Sequence, residues 1–577
     1  VSVAEFLSAV PPFTGFQPDV LAEVAHRCTV VPLPAGSWLF RQHDVGDALY
    51  VVRTGRLELV REDPGPPAAV GVLGPGESLG ELSMLLGEDR TLAARALRDS
   101  ELVRLDRADV TALLADSAEF TAGLTRVLAH YLQDRALARG VADAQGSVLT
   151  VLTLHPDASL EALRAAMAAI PARRKVAVLD GAGLEPDDFA TVLDQAERGH
   201  DRVFLLASSS DEGGGGRGPW DQFCIRQADR VMALVPPALA VPAPGAWPEL
   251  DGCDLVFWAS PARAVDVGRW LDRVQPRSHH FVDPDDLRPT LARALRRLAG
   301  LSVGVVLSGG GARSLAHIGA LGALVDAGIE VDRVGGSSFG ALVGALFALG
   351  LSPAEMVAHC RREFVASWPF NDYTVPTTAL LRGRKLRGAL ARMLGDAVIE
   401  HSPRDYFAVS ADLASSELVV HRRGRFAEAV QASLALPGML PPVRENGRLL
   451  IDGSVLSGLP IHVMADRDEG PVVAVDVVGG RLKVKPRRSR SRQALPNIIE
   501  TISRSAIIGG SSDAAAARLR ARLVIEPDTA GTGQLDFNRL DALVEAGRSA
   551  AAAALDDAGD LLVVGGGNVS VDSGGLR

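Results

Sequence analysis

The chain has 577 residues, 47% hydrophobic and 23% charged, with a formal net charge of −10. That length calls for several domains and that composition for a folded chain, while the charge gives no overall pull toward nucleic acid or anionic lipid. Four cysteines, Cys28, Cys224, Cys253 and Cys360, are scattered without C-x-x-C spacing, which suits a reducing compartment and argues against structural zinc. The opening residues lack a basic segment ahead of an apolar run, and no apolar run reaches the roughly 18 residues of a bilayer span. Neither a secretory signal nor a transmembrane helix is expected.

Residues 1–143 read as a first domain. Helical starts at Ala4–Ala9 and Pro18–His26 lead into short strands at Ser37–Phe40, Ala48–Thr54, Leu57–Arg61 and Val70–Val72. Gly36, Gly46-Asp47, Gly55 and Gly74-Pro75-Gly76 punctuate them. Many short strands with glycine turns predict a β-roll. A helical stretch from Arg107 to about Arg139 follows. Between strands and helix runs Leu79-Gly80-Glu81-Leu82-Ser83-Met84-Leu85-Leu86-Gly87-Glu88-Asp89-Arg90-Thr91. It resembles the phosphate-binding cassette of the cyclic nucleotide-binding domain. The resemblance implies that Glu81 takes the ribose 2′-hydroxyl and Arg90 the cyclic phosphate, with Gly80, Ser83 and Thr91 as further donors. The ligand would be cAMP or cGMP, acting as a regulator. One guanidinium for one anionic phosphate is sound chemistry. Leu79, Asp89 and Ala93 replace the family's usual aromatic, proline and threonine, so the alternative is a degenerate fold kept as an interaction module.

Residues 144–300 read as a second, α/β domain. Apolar runs at Val148–Leu154, Lys175–Leu179, Val203–Ala207, Arg230–Val235 and Leu255–Trp258 alternate with helical stretches. No Walker lysine is present, and Asp211-Glu212 ahead of Gly213–Gly216 repels phosphate. His279 and His280 are adjacent, so they point apart on regular backbone, and no carboxylate spacing accompanies them. A structural role is expected for both rather than a metal.

From Val303 the pattern sharpens. An apolar β-branched run, Val303–Leu307, is broken by Ser308 and Gly309-Gly310-Gly311. A helical pattern follows from about Arg313, with Leu315, Ile318, Leu321 and Leu324 at helical spacing. After Gly328 comes a short segment, Ile329–Val334. Gly335-Gly336-Ser337-Ser338-Phe339-Gly340 then opens an Ala/Leu/Val helix. This is a βαβα unit of a parallel sheet. Gly336-x-Ser338-x-Gly340 between strand and helix is a nucleophile elbow, which exposes Ser338 at a helix start. Gly309–Gly311 let backbone N–H groups converge on a developing oxyanion, and Arg313 stands ready to add positive charge. Dinucleotide binding is the weaker reading, because no acidic residue follows a second strand at the required place.

The general base must lie downstream of Ser338. His462 is the sole histidine after residue 421, and Asp452, at the end of the apolar strand Leu449–Ile451 and before Gly453, is the better candidate. Here the chain resembles the patatin-like phospholipases, whose pattern is a GGG-x-[RK] loop, a G-x-S-x-G serine and a late D-G-[GA] aspartate. The matching residues are Gly309–Arg313, Gly336–Gly340 and Asp452-Gly453-Ser454, with Ser454 replacing the family's glycine or alanine. Ala432–Pro437 and Pro441-Pro442-Val443 look like the family's segment between the two catalytic positions. Trp220-x-x-x-Cys224–Asp229, Ser278–His280, Asp372–Pro376, Tyr406–Val409 and Asp412 look like the neuropathy target esterase family of lysophospholipases. The resemblance thus spans nearly the whole chain, with one nucleotide-binding domain.

It implies a multidomain protein: an N-terminal β-roll cyclic nucleotide-binding-like domain, a middle α/β domain, and a C-terminal patatin-like α/β hydrolase domain over 301–560, with a flexible tail at 561–577. It also implies a serine esterase of phospholipids or lysophospholipids working through a Ser338–Asp452 dyad. The oxyanion hole would be Gly309, Gly310, Gly311 and Arg313. No cofactor and no metal would be required, and no nucleic acid partner is implied. The expected place is the cytoplasm, peripherally on a membrane surface. Two basic stretches, Arg382–Arg387 and Arg487–Arg492, read either as solvated surface or as contacts to anionic headgroups. The rival class is a non-catalytic cyclic nucleotide sensor or docking protein. Oligomeric state is not encoded in any of these patterns.

Overall fold

The structure is a computed structural model. It describes residues 2–121 (except 9, 11–12, 14–15, 63–67, 87–88 and 118–119), 147–154, 176–250 (except 201, 209–217, 237–238 and 244–249), 252–478 (except 265, 299 and 468) and 518–558. The helical stretch expected beyond residue 121, the loop Gly213–Gly216, the second basic stretch Arg487–Arg492 and the tail lie outside these residues. The chain divides into two compact units, one of the described residues up to Leu234 and one of those from Val235 on. The division falls inside the segment 144–300.

The first unit opens with β1 (Thr29–Leu33), β2 (Trp38–Phe40), β3 (Ala48–Thr54), β4 (Leu57–Arg61), β5 (Ala68–Leu73), β6 (Ser78–Leu79), β7 (Ala93–Ala96) and β8 (Ser100–Asp106). They form two antiparallel sheets, β1-β8-β3-β6 and β2-β7-β4-β5. Period-two alternation explains how β3 serves two cores. Leu49 and Val51 face Leu7, Val24, Val110 and Phe120. Ala48, Tyr50 and Val52 face Leu57, Leu79, Ala94 and Leu102 inside the roll. The helix after β8, Arg107–Asp116, closes the first of these cores through Val110 and Leu113.

Next come β9 (Ser147–Thr153), β10 (Val176–Leu179), β11 (Arg202–Ser208) and β12 (Arg230–Val235), paired in parallel in the order β10-β11-β9-β12. Their apolar runs are those of strands covered on both faces. Two ion pairs hold this sheet to the roll: Arg56 to Asp229 at 3.2 Å and Arg98 to Glu197 at 2.7 Å.

The second unit begins with the parallel pair β13 (Asp254–Phe257) and β14 (Ser278–Phe281). The helix Leu287–Leu298 follows, and its Arg296 grips Asp332 with two hydrogen bonds of 2.6 and 3.0 Å. The main sheet comprises β15 (Val303–Leu307), β16 (Val331–Ser337), β17 (Asp405–Asp412), β18 (Leu418–His421), β19 (Val443–Glu445), β20 (Arg448–Asp452), β21 (Val472–Val475) and β22 (Leu523–Ile525). Its order is β19-β20-β17-β16-β15-β21-β22, with β18 beside β17. The strands β17, β16, β15, β21 and β22 run parallel, whereas β20 runs against β17. Register then fixes the site. Ser337 pairs with Val409, and Ser410 pairs with Asp452, so the end of β20 lies level with the end of β16.

Candidate active site

β16 ends at Ser337 and the helix Phe339–Ala348 begins two residues later. Ser338 joins them with φ 54° and ψ −128°. That backbone costs a non-glycine residue about 1–3 kcal/mol and persists only where surrounding structure holds it. Here the holding is visible. A Cβ at Gly336 would lie 2.7 Å from the Leu307 carbonyl oxygen, and one at Gly340 2.6 Å from the same atom, so only glycines let the turn pack onto β15. The Ser338 N–H donates to Ser433 Oγ at 2.8 Å. The Ser338 hydroxyl donates to Asp452 Oδ2 at 2.6 Å.

Asp452 is almost wholly buried, at 1% exposure. Its Oδ1 accepts from Ser454 N–H at 2.9 Å and Ser454 Oγ–H at 2.7 Å, and its own N–H donates to the Ala435 carbonyl at 2.9 Å. Burial pushes its carboxyl above the usual carboxylate range, while the hydrogen bonds from Ser338 and Ser454 work against that rise. One oxygen is therefore anchored and the other faces the serine. His462 sits half-buried on the helix Ile461–Ala465 and is hydrogen-bonded to neither Ser338 nor Asp452.

The glycine loop lies beside the serine: a Cβ at Gly309 would be 3.2 Å from Ser338 Cβ. Two of the residues expected in the oxyanion set have protein partners of their own. Gly309 N–H already donates to the Gly458 carbonyl at 2.9 Å. Arg313 is buried in the short 3-10 turn Gly311–Leu315, and its Nε donates to the Thr532 carbonyl at 2.9 Å, bracing the loop from behind. Gly310 and Gly311 are the two whose N–H groups have no acceptor among the described residues. His317 Nε2 donates to the Ser308 carbonyl at 2.8 Å. Full burial lowers its pKa to about 4, so it is a neutral strut of the loop.

Ser433 lay in the segment Ala432–Pro437 noted for its resemblance but was given no role, and His317 was not singled out. Ser433 meets a partner 95 residues away, whereas His317 reaches back nine residues to Ser308 from an otherwise apolar helix. The hydrogen bond made by Ser454 sits within the quoted D-G-S segment and was the one legible in principle.

The first unit holds the second expected site. Glu81 starts the helix Glu81–Leu86, and both it and Arg90 are buried. Arg90 donates to Asp47 Oδ1 at 3.2 Å and to the Ala48 carbonyl at 2.8 Å, and its guanidinium lies 4.2 Å from the Phe40 ring centre. Burial lowers the Arg90 pKa and raises that of Glu81. Glu81 Oε2 and Arg90 Nε and Nη1 are buried with no hydrogen-bond partner among the described residues. Gly80 adopts φ 94° beside Arg90. Ser83 is buried and its hydroxyl donates to the Asp89 carbonyl at 3.3 Å, whereas Thr91 is exposed. The sequence marked Asp47 only as a turn residue and Phe40 only as the end of a strand.

Both adjacent histidines have protein partners. His279 Nε2 donates to the Glu400 carbonyl at 2.8 Å, and His280 lies 2.9 Å from the Ser278 hydroxyl. Among the described residues there is no cluster of three or more His, Cys, Asp or Glu side chains able to hold a metal. No helix among them is long and apolar enough to cross a membrane.

A strained serine on a strand–helix turn, bonded to a buried aspartate beside a glycine loop in a mostly parallel sheet, is the arrangement found here within the segment that matches a hydrolase family. Residues 305–465 match the patatin-like phospholipase model and residues 30–117 the cyclic nucleotide-binding domain model. The chain belongs to the NTE family: it is 31% identical to uncharacterized NTE family protein MT2641 of Mycobacterium tuberculosis over 96% of this chain and 97% of that protein. It is 26% identical to lysophospholipase nte1 of Aspergillus fumigatus over 80% of this chain but 36% of that longer protein. Of solved structures, the Thermus thermophilus catabolite activator protein is 34% identical over 22% of this chain and 60% of its own, with a TM-score of 0.21.

Proposed function

We propose that this protein hydrolyses acyl esters of lysophospholipids or phospholipids through a Ser338–Asp452 dyad. The observation that carries the reading is the 2.6 Å hydrogen bond from the Ser338 hydroxyl, on its strained turn, to a carboxylate oxygen that has no other donor among the described residues. Ser338 Oγ attacks the ester carbonyl as its proton passes to Asp452 Oδ2. The Gly310 and Gly311 N–H groups receive the negative charge that develops on the carbonyl oxygen. The tetrahedral adduct collapses, the ester C–O bond breaks, and the leaving alkoxide takes the proton from Asp452. Water then attacks the acyl-serine, giving its proton to Asp452, and the fatty acid leaves as Ser338 is regenerated. A buried carboxylate suits this work, because desolvation makes it a stronger base than its solvated counterpart.

The same reading places the protein in the cytoplasm against a membrane surface, with the β-roll binding cAMP or cGMP between Glu81 and Arg90 as a regulator. Fatty acid release from lysophosphatidylcholine and from phosphatidylcholine tests the reaction. Turnover of either that disappears in Ser338→Ala supports it; equal turnover by the variant removes it.

A further inference from the structure

Residues 371–383 form a small hairpin beside the active site. Tyr373 bridges Leu381, Thr374 N–H donates to the Leu380 carbonyl, and Arg382 N–H donates to the Asp372 carbonyl. The hairpin is rooted next to the nucleophile. Phe370 stacks on Phe537 at 5.7 Å and lies 6.1 Å from Phe364, which packs edge-on against Phe339, the residue after Ser338, at 4.9 Å. On its other side, Leu380 and Leu381 N–H donate to the carbonyls of Gly438 and Met439, just beyond the helix that carries Ser433.

Its tip points to solvent. Tyr373 is 68% exposed and Val375 75% exposed. No other two exposed large apolar side chains among the described residues lie so close in sequence. The following helix, Arg384–Leu394, begins with exposed Arg384, Lys385 and Arg387, and Arg382 precedes it. None of the four ion-pairs with a carboxylate among the described residues. Their neighbours do: Arg392, on the same helix, pairs with Glu363 at 2.6 Å, and Arg425 pairs with Asp396 at 2.6 Å. The nearby Asp372 instead accepts the backbone N–H groups of Arg384 and Lys385 with one oxygen.

We propose that this hairpin and helix start form a docking surface for an anionic phospholipid bilayer. A tyrosine ring is at home at headgroup level, a valine below it, and lysine or arginine against anionic headgroups. Docked this way, the rooted end of the hairpin brings Ser338 to the surface that holds its substrate. The biological sense rests on the lipid-esterase reading, but the test does not.

The test is co-sedimentation of the full chain, carrying Ser338→Ala so that the lipid survives, with phosphatidylcholine vesicles and with vesicles containing phosphatidylglycerol. Binding to the anionic vesicles is expected, weakening as salt rises. Arg384→Gln with Arg387→Gln should lower partitioning about 25-fold, from roughly fivefold per cation. Tyr373→Ala with Val375→Ala should lower it several-fold at every salt concentration. Both double variants, made with Ser338 intact, should hydrolyse a soluble short-chain ester as well as wild type does. Binding unaffected by either pair, as a protein or nucleic acid site would give, or no binding to anionic vesicles at all, overturns the proposal. A protein that cleaves the soluble ester without sedimenting loses the docking surface and keeps the esterase reading. One that sediments through this hairpin without cleaving any ester does the reverse.

Discussion

The Ser338–Asp452 cluster and the Glu81–Arg90 cluster are both buried and polar, yet they are finished to different degrees. At Ser338 and Asp452 the functional oxygens all have partners: Oδ2 the serine, Oδ1 two donors from Ser454. At Glu81 and Arg90, three polar atoms are buried without partners among the described residues, and the guanidinium leans on a half-exposed Asp47. Each such atom costs about 1–3 kcal/mol. On the proposed function, the first cluster would be preorganised for chemistry, with its strain stored in the backbone of Ser338, and the second would leave donors and acceptors for a ligand to satisfy.

The largest expected effect breaks the finished site. Asp452→Asn should lower turnover on the order of 10⁴-fold, whereas His462→Ala should retain most activity. Comparable losses in both, with intact folds, would instead argue for a triad. Next is the loop. A Cβ at Gly310 would come within 2.6 Å of Val477 Cγ2, so Gly310→Val should displace the oxyanion donors and cost about 10²–10³-fold in kcat. Labelling of Ser338 by a fluorophosphonate should suffer less, since the serine and its base stay in place. Unchanged turnover in the folded variant takes the loop out of the mechanism.

The third prediction concerns the unfinished site. Arg90→Ala should weaken cyclic nucleotide binding by about tenfold to a hundredfold, and Asp47→Asn, by freeing the guanidinium, should strengthen it several-fold. Calorimetric titration with cAMP and cGMP reads both. No heat with either nucleotide leaves the domain as a docking module. The smallest effect sharpens the comparison from the catalytic side. Activity needs the Asp452 carboxylate, so kcat/KM should fall as pH drops through a pKa above the ordinary carboxylate range. The Ser454 hydroxyl favours the charged form, so Ser454→Ala should move that acidic limb upward by about one pH unit. A variant with lower activity and an unmoved limb shows Ser454 to be packing only.

The chemistry-bearing local patterns were the most legible. Val303–Leu307 is β15 as expected, and Gly336–Gly340 is the strand–helix turn. The strand before it was read as ending at Val334, but β16 runs to Ser337. Glycines inside a central strand look like a turn to any local pattern; here Gly335 leaves room for the Phe407 ring of β17. β1, β6, β7, β8, β14, β17, β18, β19, β21 and β22 were not anticipated as strands. Ala93–Ala96 is small and Ser278–Phe281 holds two histidines, so neither has a strand's usual composition. The partners of the glycine loop were beyond reach for a similar reason. Nothing in GGGAR says that Gly309 is spoken for by Gly458, or that Arg313 turns toward Thr532; those partners arrive from far along the chain.

The central claim is that Ser338 is an activated nucleophile, and a fluorophosphonate probe tests it most directly. Wild-type protein should label covalently, with the adduct mapped to Ser338, and Ser338→Ala should not label. Equal labelling of the variant, or an adduct mapped to another serine, would contradict the account.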